Sequence, residues 1–534
     1  MTERQQTGGQ LVCAALAAAG CDIVFSVSGN QILPIFDAAP EVGIRIVHTR
    51  HESAAAYAAA AYAELSNGSM IRPGVALTSA GPGFLAGLQG VAAATTMELP
   101  LLYLSGDSAV SQRGAGAFQE LDQPTVASAV CKASFTVDRA AEIPEVFAHA
   151  LAIVSNGVPG PVHVALPGDV LAATAVPEVA QEPPADARLD DAKRSRVAEI
   201  AEQLHAASRP LILARPSAAR GAAGEHLTAV ATALGIEPVV IEAPRGLADL
   251  KYASVSPRFV ESDCALVIAP PDFALGFLSR ERLAGNGTIV LIDAAGDPAP
   301  GHDVDLQLRA DATAVLEHLR SNMPDGSNVD PEWSALWPLP PPPEPDTAPE
   351  AGVHPLAVSA ALRAALGPED VVVLDGGEFC QWIRLGLRDI PNPVLWNGKI
   401  GAIGGALPMA VGAAVARPGR RVVAVMGDGG SGYHLSEFET MDRYNLPVTV
   451  VIGNDARWAA EWHLQIARYG PDRTFETELT NARYDRVAAG FNAAGDHITD
   501  AADLAGALHE AFGRQRATCI NIEVAALPSP AAMN

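Results

Sequence analysis

Residues 421–454 read RVVAVMGDGGSGYHLSEFETMDRYNLPVTVVIGN, and the punctuation of that stretch decides the fold. Arg421 to Met426 is an apolar, β-branched run of strand length, closed by the Gly-rich turn GDGGSG. Beyond the turn Leu435, Phe438 and Met441 recur at helical spacing across Leu435 to Tyr444, and Val448 to Ile452 is a second buried strand. Strand, helix and strand in that order predict a βαβ unit. In parallel α/β sheets a ligand lies where strands end and helices begin, because unpaired N–H groups and the helix dipole there favour anions. Asp428 and Asn454 both fall at such strand ends.

Gly427, Gly429 and Gly432 also satisfy G-x-G-x-x-G, with Asp455 as the acid that would meet a ribose, but one match of that kind carries little weight. Asp428 argues against it. A carboxylate where a pyrophosphate would lie is repulsive unless a divalent cation stands between them. Mg²⁺ takes oxygen ligands and bridges carboxylate to phosphate. Asn454 offers a neutral amide oxygen from the neighbouring strand end. On these residues alone a Gly-rich turn with a solvated Asp and a helix-capping Asn stays open.

GDG answered downstream by Asn resembles the signature of the thiamine-diphosphate-dependent enzymes, where the Asn is often doubled; here the pair is Gly453-Asn454. The resemblance implies that the Asp428 and Asn454 side chains and the Ala456 carbonyl bind Mg²⁺. It also sets Gly427, Gly429, Gly430 and Ser431 along the diphosphate. Upstream, Val47-His48-Thr49-Arg50-His51-Glu52 ends a short strand and opens an Ala-rich helix from Ser53 to Leu65. A Glu at the place of Glu52 hydrogen-bonds the aminopyrimidine N1′ in the family. A carboxyl group in apolar surroundings can hold or donate a proton, although a Glu in a first helical turn also suits the helix dipole. Three more segments agree in order: Leu77 to Gly83 (LTSAGPG), Gly401-Ala402-Ile403-Gly404 before Leu407-Pro408, and Asp375-Gly376-Gly377-Glu378 after the strand Val371 to Leu374. The resemblance puts Ile403 beneath the thiazolium, Gly401 against the aminopyrimidine, and Gly377 and Glu378 near the diphosphate.

Gly116 to Gln123 (GAFQELDQ) looks like the FQE segment of acetolactate synthase-like enzymes, a group that includes 2-hydroxyacyl-CoA lyases. This implies Gln119 as a substrate-pocket residue, and an amide that donates and accepts suits a carbonyl. Thr78 stands where benzoylformate decarboxylases carry an active-site His, and the paired His of pyruvate decarboxylases are not evident, so His48 and His51 read as helix-start histidines. Trp458 and Trp462 follow the metal ligand, where related enzymes line the substrate pocket. Ala243 to Leu247 and Asp272 to Phe277 look most like 2-hydroxyacyl-CoA-lyase-type proteins. No FAD or ADP motif is recognisable, which leaves a second nucleotide open.

Composition bounds the rest. A chain of 534 residues holds roughly three or four domains. Net charge of −25 makes nucleic acid and anionic membrane surfaces poor partners. Six scattered Cys without a CxxC suit reduced thiols in a cytoplasmic protein. Arg4 followed by Leu11 to Gly20 imitates a signal segment, but it leads directly into the strand Asp22 to Val27 and reads as a helix of the fold. Pro-rich stretches at 177–188 and 322–352 leave blocks at 1–176, 189–321 and 353–534. The expected fold is α/β, three consecutive doubly wound parallel-sheet domains: pyrimidine-binding, central and diphosphate-binding. The expected activity is that of an acetolactate synthase-like carboligase or lyase on 2-oxo acids, in a homodimer or homotetramer. A 2-hydroxyacyl-CoA lyase or oxalyl-CoA-decarboxylase-like enzyme is the alternative, with a silent regulatory homologue more remote.

Overall fold

The structure, a computed structural model, describes residues 5–66, 72–178, 189–242, 252, 255–268, 287–292, 304–324, 326–334, 343–345 and 349–530. Segments 179–188, 243–247, 272–277 and 335–342, which carry much of the expected linkers and the two central motifs, lie outside the described residues. Three parallel sheets organise the chain. The first holds Ile23–Ser26, Arg45–His48, Gly74–Thr78, Leu101–Asp107, Ala133–Thr136 and Val162–Pro167. Numbered along the chain, these strands neighbour one another in the order 2-1-3-4-6-5. The third sheet repeats that order with Val371–Leu374, Val394–Trp396, Val422–Gly427, Val448–Asn454, Ala494–Ile498 and Thr518–Glu523. Between them lies a five-stranded sheet of order 2-1-3-4-5, built on Pro210–Ala214, Val239–Val240, Cys264–Ile268, Thr288–Ile292 and Leu306–Leu308. The expected class is therefore the observed one.

Runs rich in Val, Ile and Leu make the inner strands, such as Val371–Leu374 and Leu101–Asp107, because parallel sheets are covered on both faces, whereas edge strands such as Ala133–Thr136 are only partly buried. Gly8–Ala18, which takes in most of the run Leu11 to Gly20 that imitated a signal segment, is a helix opened by a capping box: Gln10 N donates to Thr7 Oγ1 (3.2 Å) and Thr7 N to Gln10 Oε1 (3.0 Å). Among the described residues no helix is long and apolar enough to cross a membrane.

The Ala-rich helix Glu52–Ser66 is buried almost throughout, and its small side chains have a physical cause. It is pressed between Pro82–Met97 and Ala406–Ala416, with Ala56 facing Gly90 and the Ala58 carbonyl facing Gly412. A Cβ on Gly412 would lie 2.0 Å from the Ala58 oxygen. First and third domains thus share one apolar core. In a 2-1-3 strand order the crevice opens beyond the carboxyl ends of strands 1 and 3. Asp375 and Gly427-Asp428 mark those ends in the third domain, and Ser28-Gly29 and Ser79 mark them in the first.

Candidate active site

The crevice of the third sheet is a cavity of about 490 Å³. Gly377, Glu378, Gly401, Ile403, Gly427, Asp428, Gly429, Gly430 and Trp458 line it, joined by Asp375, Tyr433, Asp455 and Arg457. Close approach requires two of the glycines. A Cβ on Gly429 would meet the Trp458 ring at 2.7 Å, and one on Gly430 the Asp375 Oδ2 at 2.4 Å. Asp375 is buried and accepts from Gly404 N (2.8 Å), Gly405 N (3.1 Å) and Asn397 Nδ2 (2.9 Å), which fixes the loop that carries Gly401 and Ile403. Ile403 packs over Gly376. Glu378 begins the helix Glu378–Gly386, and its carboxylate accepts from Ser529 N.

Asp428 starts the short helix Asp428–Ser431 and is 3% exposed. Its backbone oxygen accepts from Ser431 Oγ (2.7 Å), whereas its Oδ2 is buried and has no hydrogen-bond partner among the described residues. Burial pushes the Asp428 carboxyl up to about 6, against the opposing pull of the backbone N–H groups of Gly429, Asp428, Arg457 and Ala456. Asp455, also desolvated and facing the Asp428 charge, is pushed up to about 7. Asn454 is oriented by two donated bonds, Nδ2 to Asn481 Oδ1 (3.0 Å) and to the Ala482 carbonyl (3.0 Å), which turns its Oδ1 toward Ala456 N (3.1 Å). Ala456 has the left-handed φ of +55°, and its carbonyl accepts from Leu479 N at 2.6 Å. One carboxylate, one amide oxygen and one carbonyl make a hard donor set that fits Mg²⁺. The unpartnered buried Asp428 oxygen is the group such a cation would satisfy.

A second cluster stands at the carboxyl ends of the first sheet. Glu52 opens its helix, and its Oε1 lies 3.5 Å from the position a Gly83 Cβ would take. Gln119, at φ +64°, packs against Gly81 and accepts at Oε1 from Gln31 Nε2 (2.7 Å), while Ser79 Oγ donates to Gln31 Oε1 (2.7 Å). None of these residues lines the third-domain cavity of the same chain. The Glu52 segment is nonetheless held by that domain: Arg50 N donates to Glu437 Oε1 (2.9 Å), His48 N to Tyr444 Oη (2.7 Å), and Ser53 Oγ meets His434 Nε2 (2.8 Å). His434 Nδ1 in turn donates to the Gly404 carbonyl (2.7 Å). His48 ends its strand instead of starting a helix; its Nε2 accepts from Ser28 N (3.0 Å).

Trp462 does not line the cavity; it lies one helical turn beyond Trp458, with the Arg457 guanidinium 4.8 Å over its ring. Gln31, Tyr433 and Arg457 escape the sequence reading. The strand-end rule that found Asp428, applied to Ile23–Ser26 in the first sheet, would have pointed to Gln31.

Comparison with known proteins matches two family models. Residues 6–126 match the thiamine pyrophosphate enzyme N-terminal TPP binding domain, and residues 375–522 the C-terminal TPP binding domain. The chain is 30% identical to an acetolactate synthase large subunit of Mycobacterium tuberculosis, over 96% of this chain and 95% of that protein. It is 29% identical to a 2-hydroxyacyl-CoA lyase of Oryza sativa, over 96% and 95%. Against a human 2-hydroxyacyl-CoA lyase 2 the identity is 27%, over 91% and 84%.

Proposed function

Since the chain belongs to the thiamine pyrophosphate enzyme family, we propose that it holds thiamine diphosphate through Mg²⁺ and makes or breaks a carbon–carbon bond beside a carbonyl, as an acetolactate synthase-like carboligase or lyase on 2-oxo acids. The observation that carries this reading is the buried Asp428 oxygen, without a partner among the described residues, just past the end of the strand Val422–Gly427, with Asn454 ending the strand paired beside it. When bound, thiamine diphosphate supplies a nucleophilic carbon and an electron sink. The chain does the rest. Asp428, Asn454 and Ala456 hold the cation; Gly427, Gly429, Gly430 and Ser431 cradle the diphosphate, with Gly377 and Glu378 near it. Gly401 and Ile403 flank the rings. Glu52 holds and moves a proton at the aminopyrimidine, Gln119 meets the substrate, and Trp458 walls the pocket.

Glu52 and Gln119 are missing from the cavity of their own chain, so the reading requires a second copy to bring them there. At least a homodimer, in the cytoplasm, is the working unit. Phe118 (79% exposed), Tyr433 (50%) and Ile400 (49%) are apolar side chains beside the two half-sites that such an interface would cover. Six free Cys, five of them buried, suit a reducing compartment.

The test is a panel of pyruvate, other 2-oxo acids and short 2-hydroxyacyl-CoA thioesters, read as CO₂, hydroxy-oxo acid and aldehyde. Turnover of a 2-oxo acid that needs both thiamine diphosphate and Mg²⁺ is expected. Aldehyde release from a thioester alone would select the second reading, a 2-hydroxyacyl-CoA lyase, which the rice relative favours. No turnover of any member would leave the regulatory homologue.

A further inference from the structure

Gln31, Ser79 and Gln119 form a hydrogen-bonded row at the carboxyl ends of the first sheet, and the row has a direction. Gln31 lies in the 3-10 turn Asn30–Ile32. Its Cβ is 2.8 Å from the position a Gly106 Cβ would occupy and 3.7 Å from that of Gly168, so two glycines make the slot that seats it. Ser79 is wedged against Gly29, where an added Cβ would meet it at 2.4 Å. The Ser79 hydroxyl donates to Gln31 Oε1, and Gln31 Nε2 donates to Gln119 Oε1, each at 2.7 Å. The oxygen of Gln119 is therefore held toward Gln31, with one lone pair occupied, while its Nε2, which carries two N–H donors, is turned the other way.

We propose that Gln31 is a positioning residue that fixes the polarity of the Gln119 amide, so that Gln119 meets its substrate as a hydrogen-bond donor to a carbonyl or carboxylate oxygen. The inference rests on the reading of Gln119 as a substrate-pocket residue. An amide without a fixed partner turns through half a rotation and offers either end. One held by Gln31 offers its N–H, and a preorganised donor aimed at an oxygen that gains negative charge acts more strongly on the transition state than on the ground state.

Gln31→Glu tests the polarity without changing the shape. Its ionised carboxylate only accepts, so it would take the N–H of Gln119 and turn the Gln119 carbonyl toward the substrate. At pH 8, with the fastest donor of the panel, kcat/KM should fall roughly 10²-fold, as it should for Gln119→Ala, with thiamine diphosphate affinity within about twofold of wild type. Protonation of the introduced carboxyl restores an O–H donor toward Gln119. The ratio of Gln31→Glu to wild-type activity should therefore rise as pH falls. Glu52, which shares the Gly83 position with Ser79, and Asp107 and Asp169, each one residue beyond the glycines that seat Gln31, are the acids around the row and would move that recovery toward higher pH. In cofactor-free protein labelled with ¹⁵N-glutamine, the Gln119 side-chain signal should shift in the variant and return at low pH.

Wild-type kcat/KM in Gln31→Glu, or a loss that stays constant with pH, overturns the proposal. Wild-type kcat/KM in Gln119→Ala instead overturns the reading beneath it, whatever Gln31 does. If Gln31→Glu fails to fold, Ser79→Ala removes the hydroxyl that sets the direction of the row. A severalfold fall in kcat/KM supports the proposal, and an unchanged value overturns it.

Discussion

Glu52 is the residue whose two proposed roles separate most cleanly, because its side chain lies by the Ser79–Gly83 turn while Asp428 and the glycines proposed to cradle the diphosphate line a cavity of another domain. Loss of one hydrogen bond to a bound ring costs only about 1–3 kcal/mol of binding. Proton movement by a positioned acid or base contributes about 10²–10⁴-fold. Glu52→Gln should therefore retain thiamine diphosphate in equilibrium dialysis and lose most turnover, with slowed exchange of the thiazolium C2 proton in acid-quench NMR. Exchange at the wild-type rate would return Glu52 to an ordinary helix-dipole role. Glu52 and Asp428 are legible because each sits next to its own local signal, a strand end followed by glycines or by a helix start. Trp458 and Trp462 look equivalent in sequence, yet the helix Ala459–Tyr469 puts the first over Gly429 and carries the second one turn away onto Arg457. Gln31 gains meaning only from Ser79 and Gln119, distant in sequence and brought together by parallel pairing of the first sheet.

Helix Glu52–Ser66 and its neighbours show packing and electrostatics setting opposite signs to what isolated propensity would give. Gly412 lies inside Ala406–Ala416, and in a free helix Ala there would be favoured over Gly by about 1 kcal/mol. The Ala58 carbonyl, 2.0 Å from the added Cβ, reverses that. Gly412→Ala should destabilise by about 1–3 kcal/mol, seen as a lower Tm. A raised Tm would mean that the two helices part freely. Glu437, in Glu437–Arg443, is fully buried and accepts from Arg50 N and from Thr440 Oγ1 (2.7 Å), and burial pushes its carboxyl up to about 7. Between the ordinary carboxylate range and pH 7 the unfolded chain has released a proton that the folded chain keeps, so stability falls as pH rises through that window. The term reaches about 3 kcal/mol by neutrality. Glu437→Gln keeps an acceptor for Arg50 N and has no charge to bury; its Tm should match wild type near pH 4 and exceed it increasingly toward pH 7. Parallel profiles would dismiss the buried charge. The strands and helices here were legible from β-branched runs broken by glycine, but the tie from Glu437 to Arg50 crosses domains and leaves no mark in either segment.

At the scale of the molecule the first and third domains repeat one strand order, and each opens its crevice at the same topological point, yet one chain does not join the two openings. The Glu52 helix is fastened to its own third domain through Arg50, Ser53, Glu437 and His434, and Glu52 is not among the residues that line the cavity containing Asp428. A closed twofold dimer would solve this by pairing each first-domain crevice with the partner's third-domain crevice, giving two identical composite sites. Complementation tests that geometry directly. Glu52→Gln and Asp428→Ala should each be inactive alone. Unfolded together and refolded as a mixture, about half of the dimers would be mixed, and each mixed dimer would hold one site with both native residues and one with neither, so activity should return to about a quarter of wild type. If Glu52 and Asp428 worked within one chain, every site would lack one of them and mixing would restore nothing. Dilution supplies the independent check: activity should fall with the dimer fraction followed by light scattering, whereas a fully active monomer would contradict the shared site.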